Sequence, residues 1–402
     1  MDNQWALHGK GRLVLLDRAA PAEGAAGRNA GFLTAAGGSY HGYYIYEPVR
    51  AYASDARPEL SAAQLDDICM GYSDAYLRAL TKSLEAIHAT IAREGIECEL
   101  DRRGCVILSD SDDAPRLRKA LDVGAAFGWP AWHRVEAPEV EELTGIHGTD
   151  FAGFQGGTST WNPAKWVWGL VRAALANDDV ELYSNVEVTR VEPAGDRFLV
   201  QTTRGIINAA QVVNATESNT AAVFAPYLPG GNVDLVRAHK SQAMFAEGGS
   251  PAMPVGRAVC LPLGWFHPRV HGFAYGTDNH RVPLRQSGWN DPSRFVTMYM
   301  SAETISQWPD ARFTVLREWT GTVGQAPDKA PIVGVMNRPG IYMLGGFAGA
   351  GSAISFGAGL HIARQLMGES TEDSPWPSDL FGLSRFEQPY RYGARFLDQR
   401  VS

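Results

Sequence analysis

The 402-residue sequence has the composition of a globular protein, with 45% hydrophobic and 20% charged residues, which excludes disordered and fibrous chains. The 36 basic and 44 acidic residues give a formal net charge of -8, and the basic residues are scattered along the chain. We therefore expect no nucleic acid partner, because a phosphate backbone is bound by a concentrated basic surface. The length predicts about two or three domains, with a cleft between domains in which a ligand can bind.

Nothing in the sequence indicates a membrane protein or a secreted one. The N-terminal residues Met1-Asp2-Asn3 carry an acid where a signal peptide has basic residues, and no apolar run reaches the roughly 18 residues of a membrane span. The four cysteines have no C-x-x-C spacing, so they predict neither a disulfide framework nor a zinc site. We expect a cytoplasmic protein with no metal ion and no membrane contact.

The N-terminal part of the chain predicts a strand, a compact loop and a long helix. Residues 12–17 form an apolar run that ends in an acid, as in a parallel strand buried on both faces. Residues 24–31, of sequence GAAGRNAG, predict a loop with closely packed backbone. Ser61 and Gln64 have the spacing of a capping box, and apolar residues then recur at helical intervals up to Gly95, which predicts an amphipathic helix.

The rest of the chain alternates between predicted strands and helices, which indicates an α/β core and a mixed second domain. A helix is expected over residues 164–177, because Asn162 suits an N-cap and Pro163 suits the first helical position. The other predicted helices are 114–127, 138–143 and one that runs from the loop 345–352 through Met367, and the predicted strands are 102–109, 180–183, 187–192, 197–203, 205–214 and 341–344. We expect residues 374–402 to wrap the surface, with one short helix at 394–400.

Two features of this pattern suit a dinucleotide cofactor. The glycine-rich segment 345–352 joins a predicted strand to a predicted helix, where backbone N–H groups can approach a phosphate or an electron-rich ring edge; the alternative is that its small residues only permit close helix packing. Asp17 ends its strand, as does the acid that binds ribose hydroxyls about 20 residues after a G-x-G-x-x-G turn. The sequence contains no such turn, and Asp17 alone also fits an ordinary strand end.

Five separated motifs resemble those of one family. They are the strand, acid and GAAGRNAG loop of 12–31, the V-V-N-A-T of 212–216, the segment 305–321 with Trp308-Pro309 and Trp319, the P-D-K-A-P-I-V-G of 327–334 and the F-A-G-A-G of 347–351. With these motifs in order over nearly its whole length, the chain resembles the D-amino acid oxidase-type FAD-dependent oxidoreductases, which include glycine oxidase and sarcosine oxidase. Its tail is most similar to the gamma-glutamylputrescine oxidase branch.

The resemblance implies an α/β fold class with two domains. One is a Rossmann-like FAD-binding domain assembled from residues 1–40, 150–217 and 322–370, without its first strand. The other is an α+β substrate-binding domain with an antiparallel sheet, from residues 41–149 and 218–321, and residues 371–402 form a surface tail. The resemblance also implies that FAD is bound noncovalently, because residues 321–326 contain no cysteine of the kind that attaches flavin in sarcosine oxidases.

The matched motifs imply the positions that bind the cofactor. They are Asp17, Arg18, Gly27, Arg28, Asn29, Ala30, Gly31, Val188, Ala215, Thr216, Gly346, Phe347, Gly349, Ala350, Gly351, Ser352 and Ala353. The chain departs from the family pattern in three places: the G-x-G-x-x-G turn is absent, Glu217 replaces a glycine, and Ala350 replaces a histidine. These departures indicate either an incomplete N-terminus, which we expect, or weak binding of FAD.

A predicted hairpin, residues 265–269 and 272–276, resembles the one that faces the flavin in this family. Its candidate catalytic residues are His267, Arg269 and Tyr275, and an arginine suits a substrate carboxylate. Two plainer alternatives stay open, a structural imidazole for His267 and a solvated hairpin charge for Arg269. The candidate pocket residues are Trp265 and Ala274 in the hairpin, and His41 and Tyr43 in the aromatic segment 40–46, for which core packing is the alternative.

The resemblance implies an oxidoreductase that oxidises the C–N bond of a primary or secondary amine or an amino acid to an imine. Oxygen is the expected electron acceptor, although Ala274 stands where sarcosine oxidases have the lysine that activates oxygen. The alternatives are a dehydrogenase that uses another acceptor, and a non-catalytic partner subunit of a hetero-oligomer. The expected partners are therefore a small amine or amino acid, an electron acceptor and, in the last case, another protein chain.

Overall fold

In the computed structural model, the described residues are 11–33, 41–109, 114, 115, 118, 122, 132–147, 151–155, 157–254, 257–261, 264–278 and 291–387. The predicted helix 394–400 lies outside these residues, and so does most of the predicted helix 114–127. Among the described helices, none is both long enough and apolar enough to cross a bilayer.

The described strands include a counterpart of each predicted one, and the predicted strand 205–214 is divided into two. In chain order they are β1 (Leu13–Asp17), β2 (Phe32–Leu33), β3 (Cys105–Ser109), β4 (Trp132–Val135), β5 (Phe151–Gln155), β6 (Ser159–Thr160), β7 (Val180–Ser184), β8 (Val188–Ala194), β9 (Arg197–Thr202), β10 (Gly205–Ala209), β11 (Val212–Asn214), β12 (Arg237–Gly249), β13 (Ala258–Leu261), β14 (Gly264–Arg269), β15 (Gly272–Asp278), β16 (Arg312–Gln325), β17 (Ile332–Val335) and β18 (Ile341–Gly345).

The described helices include five that the sequence did not predict, at residues 25–28, 41–56, 220–224, 294–307 and 378–381. In chain order the described helices are α1 (Ala25–Arg28), α2 (His41–Ala56), α3 (Ala62–Glu94), α4 (Ala137–Thr144), α5 (Pro163–Ala174), α6 (Thr220–Phe224), α7 (Arg294–Gln307), α8 (Gly351–Leu366) and α9 (Ser378–Phe381). The motif 305–321 resembles a strand of the substrate domain in the family, and in the structure it begins with the last turn of α7 before the strand β16.

Capping residues set the ends of two long helices, as predicted. The Ser61 side chain accepts a hydrogen bond from the Gln64 amide, and the Gln64 side chain accepts one from the Ser61 amide, which completes the capping box of α3. Gly95 ends that helix in the left-handed conformation at φ 58°. Asn162 caps α5 by accepting a hydrogen bond from the Lys165 amide. Each device satisfies backbone groups that a helix end otherwise leaves without partners.

The largest described sheet has eight strands in the order β16-β12-β15-β14-β13-β3-β5-β4. Its neighbouring strands are antiparallel except for β13 and β3. One face packs into an apolar core that contains Phe266 of β14, Phe273 of β15 and Met300 of α7. This layer is the predicted antiparallel sheet.

The parallel strands form two smaller sheets in the described part of the chain. β1 pairs in parallel with β7, and β11 pairs in parallel with β18, which in turn pairs with antiparallel β17. Strands β8, β9 and β10 form a separate antiparallel meander. A parallel, helix-covered part beside a mostly antiparallel part confirms the predicted fold class.

Strands β1 and β11 each have a neighbouring strand on one side only, within the residues that the structure describes. Leu16 of β1 nevertheless packs into the apolar cluster that contains Met343 of β18, and Val212 of β11 packs into the same cluster. The two parallel sheets therefore share one core without a hydrogen-bonded strand between them. All residues of β1 are only half-buried, whereas parallel strands are usually covered on both faces.

The predicted domain boundaries at residues 41 and 150 do not follow the packing. Helices α2 and α3 share an apolar cluster with Tyr342 of β18 and Ile354 of α8, so they pack with the parallel strands. The Gly357 amide of α8 donates a 2.9 Å hydrogen bond to Ser83 of α3, and a Cβ at Gly357 would lie only 2.7 Å from that of Ser83. Strand β5, by contrast, belongs to the eight-stranded sheet.

The expectation of a surface tail is wrong for residues 376–387. Trp376 and Phe381 are fully buried in the same cluster as α3 and α8. Arg385 is buried too, and its Nε donates a 2.8 Å hydrogen bond to Asp328, which has no exposed surface. A second bond, from Nη2 to the Ala330 carbonyl, is also 2.8 Å long. This part of the tail is buried for two reasons. Its aromatic side chains gain from being removed from water, and Arg385 supplies the positive charge that pairs with the buried Asp328.

We expect Arg385→Met to lower the free energy of unfolding by about 3–5 kcal/mol, because Asp328 would be left as a buried, unpaired charge. The double variant Arg385→Met, Asp328→Asn should recover part of this loss. The matched control is Arg78→Met, which breaks the exposed pair with Asp74 and should change stability by less than about 1 kcal/mol. Guanidinium unfolding measures all three, and an Arg385→Met loss as small as that of the control would contradict the ion-pair anchor.

Candidate active site

One face of the β14–β15 hairpin carries four of the seven predicted catalytic and pocket residues. Side chains alternate along a strand, and Phe266 lies in the apolar core of the large sheet. Its neighbours on β14, Trp265 and His267, therefore point to the opposite face, together with Arg269. Ala274 lies on this face too, since it pairs with His267 across the hairpin.

Tyr275 lies on the other face, away from the side chains of His267 and Arg269. It pairs with Phe266 across the hairpin and is fully buried in the apolar core. Its hydroxyl has no hydrogen-bond partner among the described residues, and burial, followed by Glu303 and Tyr299, raises its pKa. The sequence predicted the alternation of this hairpin but did not show which set of side chains faces the core.

His267 joins the hairpin to the loop 24–31. Its Nδ1 lies 2.9 Å from the Ala30 carbonyl oxygen, and because a carbonyl only accepts, Nδ1 carries the proton. Burial, followed by the nearby Arg269, lowers the pKa of His267 to about 3. The imidazole is therefore neutral near pH 7 and a weak base, which favours the structural alternative for this residue over a catalytic one.

Arg269 is the buried cation of the site. Its Nη1 donates a 2.9 Å hydrogen bond to the Trp161 carbonyl and lies 3.5 Å from Glu99. Glu99 also pairs with Lys165 at 2.7 Å, and its backbone has the left-handed φ of 55°. Burial lowers the pKa of Arg269, and Glu99 opposes that change. The alternative of a solvated hairpin charge is not supported, since only 17% of the side chain is exposed.

Glycines and one asparagine give the loop 24–31 its shape. A Cβ at Gly31, which has φ 75°, would overlap the Trp161 carbonyl and lie 3.1 Å from the His267 ring. Asn29 accepts a 2.9 Å hydrogen bond from the Gly31 amide and donates one of 2.8 Å to the Ala26 carbonyl. The side chain of Asn29 thus forms hydrogen bonds within the loop and fixes its shape. A ligand that approaches the loop would therefore meet mainly its backbone.

Strand β16 contacts both glycine-rich segments. Near its middle, the Trp319 indole donates a 2.9 Å hydrogen bond to the Arg28 carbonyl, and Arg28 Nη1 lies 3.4 Å from the Thr320 carbonyl. Near its end, the Gly324 carbonyl accepts a 2.9 Å hydrogen bond from the Ala348 amide. Thr320 and Gly324 are four residues apart, about 13 Å along a strand.

A cavity of about 330 Å³ lies where the loop 24–31 meets the hairpin and β16. It is lined by residues of all three elements, among them Gly27, Asn29, Arg269, Ala274 and Trp319. A second cavity, of about 640 Å³, lies against the same hairpin and is lined by Asp101, Arg103 and His267 among others. Glu99 and Arg269 line both cavities, so their ion pair stands between the two spaces.

The start of α8 presents free backbone donors. The turn before it contains three residues with left-handed φ, Gly346 at 65°, Ala348 at 50° and Gly349 at 95°. Ala350 is the N-cap and provides no side-chain hydrogen bond, so the amides of Gly351 and Ser352 have no partner within the helix. A Cβ at Gly349 would meet open space. These amides, with the positive end of the helix dipole, suit an electron-rich ring edge.

The other predicted cofactor positions lie at the ends of β1, β8 and β11. Asp17 accepts a 2.9 Å hydrogen bond from the Ala19 amide, which fits the plainer alternative of a strand end, and Arg18 is exposed. Val188 begins β8. Thr216 is held by two hydrogen bonds to Asn214 Oδ1, next to Ala215. In the glycine turn, Phe347 and Ala353 are buried in the α3–α8 cluster.

The remaining predicted pocket residues differ in their placement. Trp265 packs edge-to-face on Phe32, with 5.9 Å between ring centroids, and it is not among the residues that line either cavity. Ala274 lines the smaller one. His41 and Tyr43 begin α2, but their side chains lie outside the described part of the structure.

Sequence reasoning missed Glu99 as a site residue. It lies in the connection after α3, with no motif around it, and it reaches Arg269 only through folding. Burial alone would raise the pKa of Glu99, but Lys165, Asn162 and Arg269 together hold it below its usual value. No local pattern in the sequence indicates such a long-range pairing.

Comparison with known proteins finds one matching family. A family model described as DAO, FAD dependent oxidoreductase, matches residues 4–365. The chain belongs to the DAO family of FAD-dependent oxidoreductases. Its cofactor is therefore FAD, and the free amides at the start of α8 and the open surface at Gly349 fit the flavin part of that molecule. This confirms the family predicted from the five motifs.

Two relatives by sequence match part of the chain. Sarcosine oxidase subunit beta of Rhodobacter capsulatus is 27% identical over 259 residues, which are 62% of this chain and 56% of the relative. The probable oxidoreductase OrdL of Rhizobium meliloti is 25% identical over 253 residues, 61% of this chain and 56% of the relative. The matches thus span little more than half the length of either relative.

Solved structures share the fold over almost the whole chain. Glycine oxidase from Geobacillus kaustophilus has a TM-score of 0.70 at 19% identity, with 93% of this chain and 92% of that one covered. L-proline dehydrogenase from P. horikoshii has a TM-score of 0.66 at 16% identity, with 95% and 99% covered. At these identities the likeness is one of fold.

We expect the stability of the protein to fall as the pH drops from about 6.5 towards 3, with His267 contributing up to about 1.4 kcal/mol per pH unit. The sign follows because the pKa of His267 is depressed to about 3 in the folded state, so the unfolded chain binds the proton first. His267→Asn keeps a donor for Ala30 and should reduce the slope, whereas His147→Asn at the exposed His147 should leave it unchanged. Urea midpoints at several pH values measure it, and an unchanged slope in His267→Asn would contradict the buried neutral imidazole.

Proposed function

We propose that the protein oxidises the C–N bond of an amino acid or a related amine to an imine, with FAD as the first electron acceptor. One observation carries this proposal, the cavity of about 330 Å³ that is lined by Gly27 and Asn29 of the cofactor loop and by Arg269. Gly27 and Asn29 belong to a motif of an FAD-dependent family, and Arg269 is a largely buried cation that suits a substrate carboxylate, so one cavity adjoins both a cofactor motif and a substrate anchor.

The chain supplies binding and orientation in this proposal. When bound, FAD accepts the hydride and so carries the redox chemistry. The amides of Gly351 and Ser352, with the dipole of α8, hold the electron-rich edge of the flavin and favour negative charge there. Gly27 and Asn29 of the loop 24–31 line the proposed substrate cavity together with Trp319.

Arg269 is the proposed anchor for the substrate. Its guanidinium is held in place by the Trp161 carbonyl and by Glu99, so little side-chain entropy is lost when a ligand binds. A carboxylate can accept two parallel hydrogen bonds from a guanidinium group, which fixes its direction. A carboxylate held in this way keeps the C–H bond of the substrate in one orientation towards the bound flavin. This orientation is the main contribution of the protein to the rate.

No residue is needed to take a proton from the substrate in the chemical step. An amine must be neutral before it gives up a hydride, and a neutral amine can enter the cavity already deprotonated. His267 cannot serve as an efficient base, because its Nδ1 proton is bound to Ala30 and its pKa is about 3. We infer that the cavity selects the neutral amine by its shape and by the charge of Arg269.

We propose that oxygen reoxidises the flavin in a cytoplasmic protein. Support for the location comes from the four cysteines, which are all free and buried, as in a reducing compartment. Ala274 leaves the hairpin without a cationic side chain at that position, so a different electron acceptor is the main alternative. The similar structures include one named as an oxidase and one named as a dehydrogenase.

The test begins with the visible spectrum of the purified protein. A flavin spectrum, with the flavin released by acid denaturation, is the expected result for noncovalent FAD. Amino acids and carboxylate-free amines are then added without oxygen, and the proposal expects at least one of them to bleach the flavin absorbance. Return of the colour in air identifies oxygen as an acceptor. A colourless protein, or a flavin that none of these compounds reduces, would refute the proposed function and favour a non-catalytic partner subunit.

We expect Arg269→Met to raise the KM for a reactive amino acid by about 10- to 100-fold, since a charge-assisted hydrogen bond contributes about 1.5–3 kcal/mol. Its KM for an amine without a carboxylate should be unchanged or lower, because the variant no longer leaves a desolvated charge beside that ligand. Arg103→Met is the matched control, because Arg103 lines only the larger cavity and pairs with Asp101. Steady-state kinetics with both substrate classes measures the difference, and equal effects on both classes would contradict the carboxylate contact.

A further inference from the structure

Glu217 occupies a strained backbone position with a buried carboxyl group. Its φ is 51°, in the left-handed region that is unfavourable for a residue with a side chain. The residue starts a short 3-10 turn between β11 and α6. Its Oε2 atom has no contact with solvent and no hydrogen-bond partner among the described residues. Strain and an unpartnered buried oxygen in one residue call for a specific reason.

The carboxyl group of Glu217 lies against the glycine turn and β16. Its Oε1 accepts a 3.0 Å hydrogen bond from the Phe347 amide. Its Oε2 lies where a Cβ at Gly324 would be, so a side chain at Gly324 would overlap it. Burial raises the pKa of Glu217, although the amides of Phe347, Gly324, Ser218 and Gly346 oppose this change. The carboxyl group therefore faces backbone donors of the turn and of the strand.

Glu217 and Gly324 hold two successive amides of the turn. The Phe347 amide binds Glu217, and the next amide, of Ala348, binds the Gly324 carbonyl. Ala348 itself has a left-handed φ of 50°, so the turn is strained at a second non-glycine residue. These two hydrogen bonds fix the direction in which the chain leaves β18 and enters α8.

Fold stability alone does not explain this arrangement. A glycine at position 217 would remove the backbone strain, and it would also remove the unpartnered oxygen. The carboxyl group accepts a hydrogen bond from the Phe347 amide and also faces the Gly346 amide, and both amides lie in the turn that leads to the free amides of Gly351 and Ser352. Strain that persists beside such donors is a sign of function.

We propose that Glu217 is a positioning residue for the cofactor, whose carboxyl group holds the turn 346–349 so that the first amides of α8 point at the flavin. The inference rests on the proposed role of these amides in binding FAD. It extends that role to a side chain that does not touch the cofactor and acts through the Phe347 amide.

Three variants separate positioning from stability. Glu217→Gln keeps an oxygen acceptor for the Phe347 amide and should bind FAD within about threefold of the wild type. Glu217→Ala keeps the backbone strain and loses the acceptor, and Glu217→Gly loses both. We expect both of these to raise the Kd for FAD by about tenfold. The apoprotein melting temperature should nevertheless be unchanged or higher for Glu217→Gly, because glycine tolerates a φ of 51°.

FAD affinity is measured by fluorescence titration of the apoprotein, and the turn is followed by hydrogen exchange of the segment 345–352 in the same apoprotein. We expect faster exchange there in Glu217→Gly and Glu217→Ala but not in Glu217→Gln. Wild-type affinity in Glu217→Gly, tighter binding in any variant, or a loss in Glu217→Gln equal to that in Glu217→Gly would overturn the proposal. If the wild type binds no FAD, the proposed function fails, and the exchange data still decide whether Glu217 orders the turn.

Discussion

The contact between His267 and Ala30 is the interaction on which the geometry of the site depends. It joins β14 of the large sheet to the loop 24–31 through a buried hydrogen bond of 2.9 Å, and the absence of a side chain at Gly31 makes the close approach possible. Water does not compete for a hydrogen bond in such surroundings. Arg269 lies two residues further along the same strand. Because His267 fixes this strand against the loop 24–31, the position of Arg269 relative to that loop is fixed as well.

Strand β16 provides the second constraint, because it touches both segments that are matched to the cofactor. Trp319 is hydrogen-bonded to Arg28 at one point of the strand, and Gly324 to Ala348 at another. A strand is nearly inextensible, so these contacts set the separation of the two segments. Glu217 adds to the second contact by binding the neighbouring amide. The cofactor region is thus framed by one rigid element and not by two independent loops.

Features with a local physical cause could be predicted from the sequence. The ends of α3 and α5 follow from Ser61 and Asn162, whose side chains bind amides three residues away, and the family followed from short motifs in order. The face on which Tyr275 lies could not be predicted, since alternation does not show which side is the core. Nor could the pairing of Arg385 with Asp328, because neither residue carries a local sign that the other will be near.

In the proposed function, charge balance would give the cavity a preference for a carboxylate that its shape alone does not supply. Glu99 lies between Lys165 at 2.7 Å and Arg269 at 3.5 Å, so one carboxylate serves two cations and the group keeps one positive charge. A ligand carboxylate that binds Arg269 neutralises this charge as the cavity loses water. An amine without a carboxylate would leave the charge desolvated and without a second partner, which is unfavourable in a buried site. The proposed preference for a carboxylate ligand would therefore arise because an amine without a carboxylate leaves the positive charge of Arg269 without a second partner.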